Sequence, residues 1–585
     1  MRGFFKIVFG TLVGIFLAWF LAFWILIGLA GSLSSDKEVT VKKNSVLHLS
    51  LNRPIVEREV EDPFEELMGT YSGAVSTVGL LELKSAIKQA ATDENIKGIY
   101  LDAGFPTTGF ATLREIRESL LEFKESGKFI IAYSEYYSEA GYYLASVADE
   151  IHLNPLGVIE LNGLSTEVIF FKGLFEKLEI EPQIFRVGEF KSAVEPFMRT
   201  DMSEANRVQT RSFLGSLYTT YLKDVAASRA IDFDALSAIA NQMQVRKAQD
   251  AVDKKLATHI SYEDEVHASL RSQLGLEDSD KIQTISYKKY RKSYSDENYG
   301  SKDRIAVIMA NGAIGSGEST NDAIGSATVA EEIRKARKDK KVKAVVLRIN
   351  SPGGSLVASD VIWREVSLCT QEKPVIASMG DVAASGGYYI AMAADTIVAQ
   401  PNTITGSIGI FGMLFNAKNL LNNKLGITTE SIKTGEWSDM MTISRPLTDA
   451  EKAIIQTEIE SGYNTFTTKA AEGRSMSHEA LLAIASGRVW SGREAKERGL
   501  VDVMGGLDDA IAIAAAKAGL TEYSTRYFPK QKNFAEQLLS GMSEEAQMKI
   551  MEWQLGEYFP IYQQVKEVQK LQGVQALMPY EFVIQ

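Results

Sequence analysis

Asp93-Glu94-Asn95-Ile96-Lys97-Gly98-Ile99-Tyr100-Leu101 returns 246 residues later as Asp339-Lys340-Lys341-Val342-Lys343-Ala344-Val345-Val346-Leu347. The offset persists: Gly141-Tyr142-Tyr143-Leu144-Ala145 pairs with Gly387-Tyr388-Tyr389-Ile390-Ala391, and Ala148-Asp149 with Ala394-Asp395. One residue further in register, Lys177-Leu178 matches Lys424-Leu425 and Gly188-Glu189 matches Gly435-Glu436. The chain is a tandem duplication, and whatever fold one copy adopts the other shares.

Short β-rich runs flank these landmarks in the same order in both copies. Val46–Leu51, Lys97–Leu101, Phe129–Tyr133 and Glu150–Leu153 in the first correspond to Ile305–Met309, Ala344–Ile349, Pro374–Met379 and Thr396–Ala399 in the second. Helical stretches such as 111–124 separate them. Strands alternating with helices of 10–15 residues imply βαβ units, hence an α/β fold with largely parallel sheets. The expected organisation is an N-terminal segment 1–35, a first repeat 45–285, a polar linker 286–303 without aliphatic residues, a second repeat 304–525 and a helical tail 526–585. The tail, with its helix-like stretch Glu544–Glu557, reads as a packing or oligomer element, membrane contact being the alternative.

At 585 residues the chain exceeds one core and calls for two to four domains. A net charge of −12 argues against nucleic acid as the main partner, because no basic surplus exists to neutralise phosphates. The single Cys369 excludes an intrachain disulfide and a multi-cysteine metal site. No charged residue lies between Lys6 and Asp36, and the 24 residues Ile7–Ala30 are apolar apart from glycines and Thr11. A bilayer core needs about 20 residues at helical rise, so an uncleaved anchor is expected ahead of a cleaved signal peptide, whose apolar region is shorter. Arg2 and Lys6 favour a cytoplasmic N-terminus with the remainder outside.

Two glycine-rich segments of the second copy carry the chemistry. Asn350-Ser351-Pro352-Gly353-Gly354-Ser355 follows the strand Ala344–Ile349, where glycines allow close backbone approach and amides can face a developing oxyanion. The first copy has Phe105-Pro106-Thr107-Thr108 there, keeping the proline and losing both glycines. Ala383-Ala384-Ser385-Gly386-Gly387 follows the strand Pro374–Met379, with Ser385 between small neighbours and the Gly386 amide at the start of a helix. Taken singly, each segment reads as an ordinary turn or cap. Together they place a nucleophile and oxyanion donors at the ends of adjacent parallel strands.

A serine nucleophile needs a base. None of His48, His152, His259, His267 and His478 lies in the strand–loop segments around Ser385. A desolvated lysine can serve, and Lys191 sits among Phe190, Ala193, Val194 and Phe197. Where the second copy has Ser385 the first has Glu139; where the first has Lys191 the second has Ser438. The copies split one candidate site between them.

Gly380–Tyr389, Thr405-Gly406-Ser407-Ile408-Gly409-Ile410-Phe411-Gly412 and Gly188–Phe197 resemble the motifs of the signal peptide peptidase A (protease IV) family in its long, duplicated 67K-type form. The resemblance spans nearly the whole chain. It implies two tandem Clp protease/crotonase-like domains of repeated ββα units behind a single transmembrane helix. It further implies a serine peptidase that degrades released signal peptides with a Ser-Lys dyad and no cofactor or metal. By the same resemblance Ser385 is the nucleophile, Lys191 the general base and Ser407 the group that orients the lysine, while Gly354 and Gly386 supply the oxyanion amides. Leu161 occupies the place of Ser407 in the first copy. Gly487–Gly492 and Gly499–Asp502 also resemble family signatures and read as structural. A homotetramer in the bacterial inner membrane, its catalytic domains on the extracytoplasmic side, is the implied setting. Two other readings stay open: a crotonase-type acyl-CoA enzyme, and a non-catalytic membrane scaffold.

Overall fold

The computed structural model describes residues 10–11, 13–21, 39–59, 77–294, 301–320, 322–530 and 573–578. Of the expected anchor, residues 10–11 and 13–21 are helical, and the rest lies outside the described residues, as does Glu544–Glu557. Among the described residues no helix is long and apolar enough to cross a membrane.

Each copy is built on a parallel sheet. In the first, Ser45–Ser50 lies between Ile96–Asp102 and Gln283–Ser286, and the order continues outward through Phe129–Ser134, Glu150–Leu153 and His259–Ile260. In the second, Arg304–Asn311 lies between Val342–Ser351 and Ser524–Phe528. Val375–Ala384 comes next, flanked by Thr396–Ala399 on part of its length and by Ile404–Gly406 on the rest. These strands are nearly continuous apolar runs, as expected where helices cover both faces; Ile305–Ala310 are all buried.

The duplication holds at the level of single hydrogen bonds. The Asp149 carboxylate accepts from the Ile130 amide and Asp395 from Val375. Lys128 donates to the carbonyls of Ala90 and Asp93, and Lys373 to those of Ala336 and Asp339. Tyr142 donates to Leu256 O and Tyr388 to Leu500 O. Polar side chains that satisfy the ends of helices and strands are costly to lose when buried, so they survive while surfaces diverge.

Two expectations need correction. The stretch 286–303 is not a bare linker: Tyr287–Arg291 is helical, capped by Ser286, and buries Tyr287 and Tyr290 in the first core. Its aromatic side chains supply the apolar area that the missing aliphatics suggested was absent. Nor is the tail uniformly helical, because Gly573–Leu577 is a strand.

A third sheet joins the copies. Its order is Ala323–Gly325, Ala313–Gly315, Gly353–Ser355, Gly573–Leu577, Ile410–Asn416 and Glu181–Val187. The last pair is antiparallel over seven residues, Ile410 facing Val187 and Asn416 facing Glu181. This pairing carries the loop after Val187, with Lys191, into the second copy. Charged groups buried at the seam reinforce it. Arg348 is fully buried between Glu57 (2.9 and 3.0 Å) and Glu115 (2.7 Å) of the first copy, and Asp381 accepts from the Thr112 amide and hydroxyl at 2.9 and 2.6 Å. The long helix Glu204–Arg229 crosses the same boundary: Ser216 and Ser491 hydroxyls lie 2.7 Å apart.

Candidate active site

Ser385 ends the strand Val375–Ala384 and starts the helix Gly386–Ala391. Its backbone has φ 55° and ψ −112°, a conformation disfavoured for any residue with a Cβ. The strain is held by the Ser385 amide donating to Gly406 O at 2.8 Å and by the Tyr389 amide donating to Ser385 O. The sharp turn aims the side chain out of the sheet end.

Lys191 meets it from the other copy. Its Nζ lies 2.8 Å from Ser385 Oγ, 3.1 Å from Ser407 Oγ and 3.2 Å from Ser407 O. Lys191, Ser385 and Ser407 are all fully buried. No carboxylate ion-pairs with the amine among the described residues, and burial alone pushes it well below its ordinary pKa range. Nζ donates to Ser385 Oγ, Ser407 Oγ and Ser407 O, and the Ser385 hydroxyl lies 3.4 Å from Gly409 O, which can only accept.

Glycines shape the amine's channel. A side chain on Gly487 would lie 2.6 Å from Lys191 Cβ, and one on Gly409 would lie 3.2 Å from Lys191 Cδ. Gly487, at the start of the segment Gly487–Gly492 expected to be structural, therefore forms part of the wall behind the lysine. Ser407 is held at φ 50° by its amide donating to Arg488 O at 2.7 Å. Sequence reasoning missed Gln209, which is fully buried. Its Nε2 donates to Phe190 O (3.1 Å) and Ser192 Oγ (2.8 Å), while its Oε1 accepts from the Val489 amide (3.2 Å). A glutamine inside a polar helical stretch carries no local signal; only the packing of Glu204–Arg229 across the seam reveals it.

Gly353–Ser355 is a short strand, not a free turn, and its glycines take φ 105° and 153°. A side chain on Gly353 would come within 2.7 Å of the Gly386 amide, and one on Gly354 would collide with Ile314 O. The Gly354 and Gly386 segments are thus packed backbone to backbone beside Ser385. In the first copy the equivalent position is spent on structure: Glu139 accepts from the amides of Asn162 and Gly163, both at 2.8 Å. None of the described hydrogen bonds of the site involves a histidine, and His478 bonds Thr467 instead.

Peptidase family S49 matches residues 122–277 and again 367–521, one match per copy, and the Clp protease family matches 297–405. The chain belongs to peptidase family S49. It is 37% identical over 526 residues to Protease 4 of Salmonella typhi, covering 87% of this chain and 84% of that protein. Protease 4 of Haemophilus influenzae is 35% identical over 574 residues, 94% of this chain and 92% of its own length. The chloroplastic serine protease SPPA of Arabidopsis thaliana is 38% identical over 489 residues, 82% and 70%. The protein is a serine peptidase with an α/β, Clp protease-like fold made of two S49 repeats.

Proposed function

We propose that this peptidase works through a Ser385–Lys191 dyad assembled across its two copies and degrades cleaved signal peptides at a membrane. The observation that carries the dyad is the 2.8 Å approach of a fully buried lysine amine, without a counter-charge, to a serine hydroxyl on a strained turn. Neutral Lys191 takes the Ser385 proton as Oγ attacks the scissile carbonyl, and the amides of Gly354 and Gly386 stabilise the oxyanion. The protonated lysine then gives its proton to the leaving amine. Water hydrolyses the ester by the reverse route, and Ser407 holds the amine in line throughout.

The substrate class is supported by the family and by a relative, the putative signal peptide peptidase SppA of Enterococcus faecium, 34% identical over 264 residues, 44% of this chain and 74% of that protein. The apolar run Ile7–Ala30 supports a single anchor with the repeats on the extracytoplasmic face. Assembly as a homotetramer belongs to the same proposal and is read by light scattering of the detergent-solubilised chain. The decisive experiment labels the protein with a serine-directed electrophile and follows hydrolysis of a synthetic signal peptide. Label should map to Ser385, and both Ser385→Ala and Lys191→Ala should lose hydrolysis while retaining the fold. Full activity in Lys191→Ala would refute the dyad.

A further inference from the structure

Glu150–Leu153, next to the outer edge of the first sheet, carries Glu150 and His152 two residues apart and therefore on one face. The edge strand His259–Ile260 pairs parallel with it, His152 in register with His259. The two imidazoles stack, their centroids 4.6 Å apart and their planes 13° from parallel. His152 Nε2 lies 3.0 Å from Glu150 Oε2, and one ligand atom from each of the three side chains lies within 4.8 Å of the other two. The fold itself does not ask for these residues. In the second copy the same register pairs Val398 with Val503, and Thr396 stands where the first copy has Glu150. The flanking hydrogen bond is kept, the Ile397 amide donating to Asp502 as that of Ile151 donates to Thr258.

Each of the three side chains is oriented by a partner at its far end. Thr258 Oγ1 donates its one hydrogen to Ile151 O at 3.0 Å. At its 2.8 Å contact with His259 it must therefore accept, which puts the proton of that ring on Nδ1 and the lone pair on Nε2. His152 Nδ1 lies 2.9 Å from Ser261 Oγ, leaving Nε2 to face Glu150. The helix Glu263–Leu274 holds the carboxylate: Gln273 Nε2 donates to Oε1 at 2.9 Å, and Ser269 Oγ donates to Oε2. Imidazoles whose outer nitrogen is hydrogen-bonded to an oxygen, beside a carboxylate that is itself hydrogen-bonded, are how metal ligands are fixed in place. His152 is buried and His259 exposed, so the group opens to solvent on one side.

We infer that Glu150, His152 and His259 form a binding site for one divalent transition-metal ion of the zinc class, which fastens the edge of the first sheet. The inference is independent of the Ser385–Lys191 reading. Two imidazoles and a carboxylate suit zinc, whereas calcium and magnesium take oxygen ligands. At zinc bond lengths of about 2.0–2.2 Å, ligand atoms at the corners of a tetrahedron stand about 3.3 Å apart. His152 and Glu150 are already near that spacing, and His259, the exposed member, closes the rest. The ion takes the place of the proton between His152 Nε2 and Glu150 Oε2, and water from the open side completes its coordination. Its ligands come from both strands, and the groups that hold Glu150 come from the helix that follows. A strand of two residues, His259–Ile260, is thereby stapled to its neighbour.

Equilibrium dialysis of the full chain against zinc ions, with protein purified without a polyhistidine tag, tests this when thermal unfolding is followed on the same samples. The wild type should hold one zinc per chain. Its Tm should rise with zinc concentration, because an ion that binds only the folded state stabilises it by mass action, and magnesium at the same concentration should leave the Tm where it was. Cobalt ions in place of zinc should give the visible absorption of a four-coordinate site. His259→Ala, at an exposed position, should keep the metal-free Tm and lose the zinc, the shift and the cobalt spectrum, and Glu150→Gln should lose all three as well. A wild type that takes up no zinc overturns the inference. Zinc held equally by the wild type and by His259→Ala and Glu150→Gln also overturns it, since other residues would then be the ligands.

Discussion

Replacing Lys191 by Met should abolish catalysis and, at neutral pH, make the protein more stable. An amine that stays neutral in the folded chain and charges when released, with an unfolded pKa near 10.4, costs about 1.36 kcal/mol for every pH unit below that value. At pH 7 this amounts to about 4–5 kcal/mol. Against it stand the contacts of the amine to Ser385 Oγ, Ser407 Oγ and Ser407 O at 2.8, 3.1 and 3.2 Å, worth about 1 kcal/mol each. Methionine fills nearly the same volume and titrates nothing. The net expectation is a gain of about 1–2 kcal/mol at pH 7, shrinking to zero near pH 8 and reversing above it.

The direction comes from linkage. Burial depresses the folded-state pKa of Lys191, so its full contribution to stability is present above the unfolded pKa and is lost as pH falls towards the folded one. Chemical denaturation of wild type and Lys191→Met between pH 6 and 10 measures the difference directly. The slope should vanish where the folded lysine takes its proton, and that pH should coincide with the acid limb of kcat/KM. A stability difference that stays constant across this range would refute a neutral lysine, and with it the proton-acceptor role.

Four other outcomes are expected. Hydrolysis by the wild type should fall on acidification as Lys191 protonates, and Ser407→Ala should lower kcat at every pH while leaving Ser385 reactive towards the electrophile; a pH-independent rate would contradict this. Gly354→Ala, whose Cβ would collide with Ile314 O, should displace one oxyanion amide and reduce kcat about 10²–10³-fold with little change in KM, as read by steady-state kinetics. Arg348→Met should destabilise the protein by about 3–5 kcal/mol, because Glu57 is left buried without a cation while Glu115 keeps only Lys84 at 2.8 Å; a calorimetric Tm equal to wild type would show that the seam does not depend on it.

Much of this architecture is written locally. Apolar runs of five to six residues, separated by helix-length intervals and repeated at one offset, are enough to place the strands of both parallel sheets, because each strand is buried on both faces and tolerates few polar residues. Ser385, Gly354 and Gly386 lie at strand ends for the same reason. What the sequence conceals is set by contacts between distant segments. Glu181–Val187 mixes polar and apolar residues without saying which strand it will join, and Gly573–Leu577 is too short and too mixed to stand out from a tail expected to be helical. Gln209 looks like any polar helix residue until Phe190, Ser192 and Val489 surround it. Tyr287 and Tyr290 sit in a run of lysines that reads as solvated, yet their rings reach the first core.

The split between the copies also reflects what each partner requires. A serine nucleophile needs a turn at a strand end, where a substrate strand can be laid beside it. A neutral lysine needs the opposite, a dehydrated setting without counter-charge. One parallel sheet offers the first at its edge but cannot easily offer the second, since its strand ends open to solvent. Packing a second copy against that edge supplies the missing dry wall: Glu181–Val187 pairs with Ile410–Asn416, and Gly409 and Gly487 close around the lysine stem. Arg348, two residues before Asn350-Ser351-Pro352-Gly353-Gly354, ties the strand that leads to the oxyanion segment to Glu57 and Glu115 of the opposite copy. Any slip of one copy on the other would both unpair that charge and hydrate the amine. The cost of a buried cation at the seam thus enforces the register on which a low lysine pKa depends, and either copy expressed alone should hydrolyse nothing.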